Sequence, residues 1–153
     1  MPENKNIKPH SAEQSTKILN LTVRKLVERF GDEAIEVTSF RNEWTAVCGN
    51  KIAIEILTFL RDEPQLAYDR LTDVTAVDYS EYLQPSDSAR FNVVYHLYSH
   101  SHNHRFRLRA RVEEDSGIAS ACSIWKGAEW PEREAFDMFG IRFEGHPDLR
   151  RIL

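Results

Sequence analysis

The sequence predicts an α+β fold, a two-layer α/β sandwich whose mixed sheet has about five strands and whose helices lie mainly on one face. Two patterns carry this. Residues 91–98 and 105–112 alternate apolar and polar, the two-residue period of a strand with one buried face. Upstream, Leu19, Val23, Leu26, Val27 and Phe30 recur at helical spacing. With 153 residues, 41% of them hydrophobic and 10% aromatic, the chain suits one domain with a real core, expected to be monomeric or weakly associating. No apolar run reaches the ~20 residues that cross a bilayer. The start MPENKNIKPHSAEQST lacks the apolar segment of a secretory signal, so the protein is expected to stay where it is made.

The first residues are polar, contain two prolines and show no periodicity, which reads as a flexible tail through residue 14 before a single domain over 15–153. Ser11 and Gln14 form a weak capping box for the first helix, and Gly31 stops it. Ala34 to Phe40 and Glu43 to Cys48 form a hairpin around Arg41 and Asn42. After Asn50 the apolar residues fit both periods. The spacing of Ile52, Ile56, Phe59 and Leu60 favours a helix, with Asn50 as its cap. Pro64 breaks the chain, leaving Gln65 to Leu71 as a turn or short helical segment. Three strands follow, Asp73 to Tyr79, Phe91 to Tyr98 and Arg105 to Val112, the last two joined by the polar loop Ser99 to His104. A short helix is expected around Ala119 to Lys126 and another from Pro131 to about Phe139, ended by Gly140.

Several groups invite a chemical reading. Cys48 and Cys122 lie far apart without a C-x-x-C pair, so they read as small buried apolar residues, and neither a cluster nor a disulfide is expected. His96, His100, His102 and His104 have the side-chain chemistry of a zinc site, yet their loop setting without acidic or Cys companions favours a solvated hairpin tip. Arg105, Arg107, Arg109 and Arg111 line one face of the last long strand. On a chain of net charge -4, that row reads as a solvated face balanced by acids on neighbouring strands, or as a protein contact, ahead of nucleic acid or lipid. Glu132, Glu134, Asp137 and His146 could serve as hydrolase acids and bases. However, Glu132 and Glu134 are two apart on a helix and do not face each other, and no nucleophile elbow or phosphate loop accompanies them. Trp44, Trp125 and Trp130 read as core or interface anchors.

The C-terminal run WPEREAFDMFGIRFEGHPDLRRIL is dense in charge for its length. Glu132-Arg133-Glu134, Asp137, Met138-Phe139, His146, Arg150 and Ile152-Leu153 fall at the spacing of one family signature. By these residues the chain resembles the thirty-kilodalton, C-type subunit of the respiratory NADH:quinone oxidoreductase, complex I. Weaker likeness runs through residues 71–79 and 91–97, so that it covers about 15–153.

The resemblance implies a non-catalytic subunit of the peripheral arm that packs against the large quinone-site subunit. It implies no catalytic, cofactor-binding or metal residues here, since NADH, flavin, iron–sulfur clusters and quinone belong to partner subunits. Glu132, Arg133, Glu134, Asp137, His146, Asp148, Arg150 and Arg151 are then expected at the partner interface. The isolated chain is expected to be inactive, and the place the resemblance implies is the cytoplasmic side of a bacterial inner membrane, or the equivalent organelle membrane, reached only through the complex. Equivalent subunits occur in membrane-bound nickel–iron hydrogenases, F420H2 dehydrogenases and the photosynthetic NDH complex, the alternative hosts. Family members usually continue past Arg-Ile-Leu into a short polar tail, whereas this sequence stops at Leu153.

Overall fold

The structure is a computed structural model and describes residues 7–40, 43–81 and 89–150. In chain order the elements are α1 Ile7–Phe30, β1 Glu36–Phe40, β2 Glu43–Gly49, α2 Ala53–Asp62, β3 Arg70–Asp78, β4 Phe91–Ser99 and β5 His104–Val112. They are followed by β6 Gly117–Ala119, α3 Glu129–Phe139 and β7 Arg142–Glu144. β1 to β5 make one mixed sheet in the order β1-β2-β5-β4-β3, in which only β2 and β5 run parallel. This is the α+β architecture that the two periodicities predict.

The alternation along β5 sorts its side chains by face. Phe106, Leu108, Ala110 and Val112 are buried, and across the antiparallel ladder they meet Leu97, Tyr95, Val93 and Phe91 of β4. The arginines point the other way. Arg107 pairs with Glu43 at 3.4 Å and Arg111 with Glu36 at 2.7 Å, while Arg109 donates to the Tyr79 hydroxyl at 3.2 Å. The expected acidic balance therefore comes from β1 and β2. Arg105 has no such partner among the described residues.

Three helices supply the second layer over the apolar face. α2 buries Ala53, Ile56, Leu57 and Leu60, and α1 buries Ile18, Leu19 and Leu26. Thr22, on the same side of α1, is also buried: its hydroxyl donates to Ile18 O at 2.7 Å and meets Tyr68 Oη at 2.9 Å, a polar tie across the layers. α3 joins through Phe139, whose ring meets Phe91 edge-on at 6.3 Å.

Four local expectations change. α1 starts at Ile7, before the Ser11 cap, and so takes in part of the 1–14 segment that the sequence reads as tail. Pro9 is third in it, within the first turn, where a missing N–H costs no helix bond. Residues 1–6 and the Arg41-Asn42 turn lie outside the described residues. The helix after Asn50 exists, but Ile52 holds the cap position. The Asn50 amide instead donates to Ser116 Oγ at 2.8 Å and Gly117 O at 2.7 Å. Residues 70–72 extend β3, with a bulge between Leu71 and Asp73.

The expected helix at 119–126 is instead the end of β6 followed by two short 3-10 turns, Ala121–Ser123 and Lys126–Ala128. β6 leaves the helical path because Ile118 pairs in parallel with Phe143 of β7, forming a small second sheet. The strands approach closely at Gly117, where an added Cβ would stand 3.0 Å from Glu144 Oε1 and 3.2 Å from Arg142 O.

Tyr95 is fully buried, and its hydroxyl has no hydrogen-bond partner among the described residues. An unpaired buried hydroxyl retains its desolvation cost. Tyr95→Phe is therefore expected to stabilise the domain by about 1 kcal/mol, read as a melting temperature raised by roughly 2–4 °C.

Candidate functional site: the C-terminal segment

α3 begins with Glu129, Trp130 and Pro131 and ends at Gly140, whose φ of 74° suits the left-handed cap that glycine adopts without Cβ strain. Pro131 is thus third in the helix, not first. Ala128, Glu132, Ala135 and Phe139 fall at i, i+4, i+7 and i+11 along one face. That face turns inward and carries Glu132 with it.

Glu132 is fully buried. Its carboxylate accepts from Ser120 Oγ at 2.5 Å, Ala121 N at 3.1 Å and Cys122 Sγ at 3.4 Å. It thereby takes up donors at the end of β6 and the start of the first 3-10 turn. Burial pushes its carboxyl above the usual range, against the lowering effect of these hydrogen bonds. Burial likewise pushes the Cys122 thiol up to about 11, so it is protonated and donates.

His146 closes the turn after β7. Its Nε2 lies 2.9 Å from Glu129 O, and its Nδ1 accepts from Asp148 N at 3.0 Å. The accepting Nδ1 places the ring proton on Nε2 for the carbonyl. Arg133, also buried, donates from Nε to Arg150 O at 3.3 Å and sets its guanidinium 4.5 Å from the centre of the Trp130 ring. Three residues of the segment are therefore turned into the chain: Glu132 holds β6, His146 holds the turn to the start of α3, and Arg133 holds the backbone at Arg150.

This divides the eight expected interface residues. Glu132 and Arg133 are interior ties in the free chain, with polar groups bonded to Ser120, Ala121, Cys122 and Arg150. His146 is partly buried and committed at both nitrogens. Glu134 and Arg150 are exposed, and Arg150 pairs with Asp148 at 3.0 Å, a surface pair worth ~0–1 kcal/mol. Asp137 is half-buried. Arg151 lies outside the described residues, as do Ile152 and Leu153. Glu132 and Glu134 stand on opposite sides of α3 and share no cleft, which removes the acid–base reading.

Among the described residues, one group of three potential ligands converges: Cys122, Glu132 and His146, with ligand atoms within 4.8 Å of one another. Its donor set is already committed. The thiol is a hydrogen-bond donor, the carboxylate accepts three bonds and both imidazole nitrogens are engaged, so the group works as a tie. The hairpin histidines do not converge. His100 pairs with Asp69 at 2.9 Å, an acidic neighbour 31 residues earlier that the sequence does not suggest, and its backbone N–H helps hold that carboxyl below the usual range. His96 lies on the arginine face, and His104 sits 6.4 Å from the Tyr68 ring.

The family described as the respiratory-chain NADH dehydrogenase 30 Kd subunit matches residues 47–153, which include all of α3 and the tied segment after it. The chain belongs to this family. It is 46% identical over 135 residues to the C-type subunit of the NADH-quinone oxidoreductase of Citrifermentans bemidjiense, a match covering 88% of this chain and 80% of that one. The Brucella ovis protein of the same name is 46% identical over 126 residues, covering 82% of this chain; the match spans 60% of the Brucella protein. Among solved structures, the trypsin-resistant fragment of Nqo5 superposes with a TM-score of 0.71 at 27% identity, covering 84% of this chain and 99% of the fragment. The family resemblance read from the signature is thus borne out, as is the fold class. No helix among the described residues is long and apolar enough to cross a membrane.

Proposed function

We propose that the chain is a non-catalytic subunit of the peripheral arm of an NADH:quinone oxidoreductase. It packs against the large quinone-site subunit and supports electron transfer from NADH to quinone. NADH, flavin, iron–sulfur clusters and quinone are held by partner subunits, and the chain reaches the cytoplasmic face of the membrane through them. The observation that carries this reading is the family match over 47–153, strengthened by 46% identity to a protein named for that activity.

The geometry supports a supporting role. The converging side chains of the C-terminal segment are tied to one another, which suits a rigid docking element better than a reacting centre. Exposed Glu134, and the weak surface pair of Arg150 and Asp148 that can exchange partners, are left for contact with a neighbour, where such charges set specificity and register more than affinity.

The test has two arms. The purified chain, assayed with NADH and a soluble quinone, is expected to show no turnover and no flavin or cluster absorbance. Cells lacking the chain are expected to lose NADH:quinone activity, with recovery on re-expression. Turnover by the chain alone, or undiminished activity without it, contradicts the proposal.

A further inference from the structure

We propose that Trp130 and Met138 form an apolar anchor by which α3 docks into an apolar groove, rimmed by basic groups, on the large quinone-site subunit. This rests on the function proposed above and assigns it a surface. Trp130 is 61% exposed and Met138 67% exposed, the two most exposed large apolar side chains among the described residues. They lie eight residues apart on one helix, with exposed Glu134 midway, so the three make a ridge about 12 Å long. Trp and Met are residue types enriched where proteins meet.

Trp130 is held in place in the free chain. The Arg133 guanidinium lies 4.5 Å from the ring centre, and Arg133 is itself buried and bonded to Arg150 O. A ring fixed in this way loses little freedom on docking, which is the property of an anchor residue.

The charges around the ridge select the occupant. Glu134 lies on the ridge and has no ion-pair partner among the described residues. Glu129 is on the same helix, whose one cation, Arg133, lies buried against the Trp130 ring, and the chain as a whole carries a net charge of -4. A groove edged with Lys or Arg complements this. A second copy of the chain does not, because two-fold pairing along the ridge brings Glu134 against Glu134.

The experiment co-expresses the full chain with the large quinone-site subunit and measures the affinity of the purified pair, with a thermal melt of each variant. Trp130→Ala is expected to weaken association at least ~30-fold and Met138→Lys at least ~10-fold, while Trp130→Phe retains most of it. Glu134→Lys is expected to weaken it as well, and melting temperatures should stay near that of the unaltered chain. Met138→Lys leaves the contact between Arg133 and Trp130 untouched, so its effect separates docking from local folding.

Undiminished association by both Trp130→Ala and Met138→Lys overturns the anchor and leaves the proposed function standing. No association by the unaltered chain overturns both. Self-association of the chain that either substitution abolishes, without effect on the pair, overturns the proposal in favour of a second copy.

Discussion

Glu132→Ala is expected to lower the stability of the domain by about 3–5 kcal/mol, a fall in melting temperature of roughly 10–15 °C. The side chain is fully buried, and its removal leaves the Ser120 hydroxyl and the Ala121 N–H without their acceptor, in space that nothing refills. Glu132→Gln should cost far less. An amide keeps one carbonyl for Ala121 N–H, and the Ser120 hydroxyl can turn to accept from the amide nitrogen.

The pair of variants also carries a pH signature. Because burial raises the Glu132 carboxyl above its unfolded value, its contribution to stability is fully present below that value, near 4.5, and is lost as pH rises through the folded one. The stability of the unaltered chain relative to Glu132→Gln is therefore expected to improve on acidification from neutral pH towards 4.5. Melts of both proteins across that window measure it, and a flat difference would show that the carboxyl is not shifted upward.

Phe143→Ala is the second large effect expected, about 3–5 kcal/mol. Phe143 is buried at the centre of β7 opposite Ile118, and the pairing of β6 with β7 spans only three residues in each strand. So short a ladder depends on its side chains more than on its hydrogen bonds. Amide exchange should show protection lost first at 117–119 and 141–150, with β4 and β5 the last to open. Uniform loss over the whole domain would mean that the small sheet and the main sheet unfold as one unit.

The parts that were legible in the sequence are those set by side-chain period. β5 alternates throughout and β4 does so apart from Val94, which is buried between Val93 and Tyr95; the apolar positions of α1 and α2 repeat at helical spacing, and Gly140 marks the end of α3. The hairpin of β1 and β2 followed from its strand-forming residues. β6 and β7 were illegible because strands of three residues carry almost no period, and their pairing joins segments separated by a whole helix. Asn50 misleads for a related reason: the cap preference is local, while the acceptors it satisfies lie on residues 116 and 117.

The division of the C-terminal charges shows the same limit. Their spacing was enough to place the chain in its family, yet it grouped Glu132 with Glu134 as surface residues. The correcting signal was present in the face shared by Ala128, Glu132, Ala135 and Phe139, whose spacing marks Glu132 as inward. A buried carboxylate is rare and becomes tolerable only where the fold delivers donors, here from residues 120–122.

Membership of an NADH:quinone oxidoreductase is tested by affinity purification of the tagged chain from gently solubilised membranes of a cell that expresses it, followed by identification of what co-purifies and assay of the eluate. The large quinone-site subunit is expected in stoichiometric amount, together with flavin- and cluster-bearing subunits and NADH:quinone activity. Recovery of the chain alone, or with partners lacking any oxidoreductase activity, would contradict it.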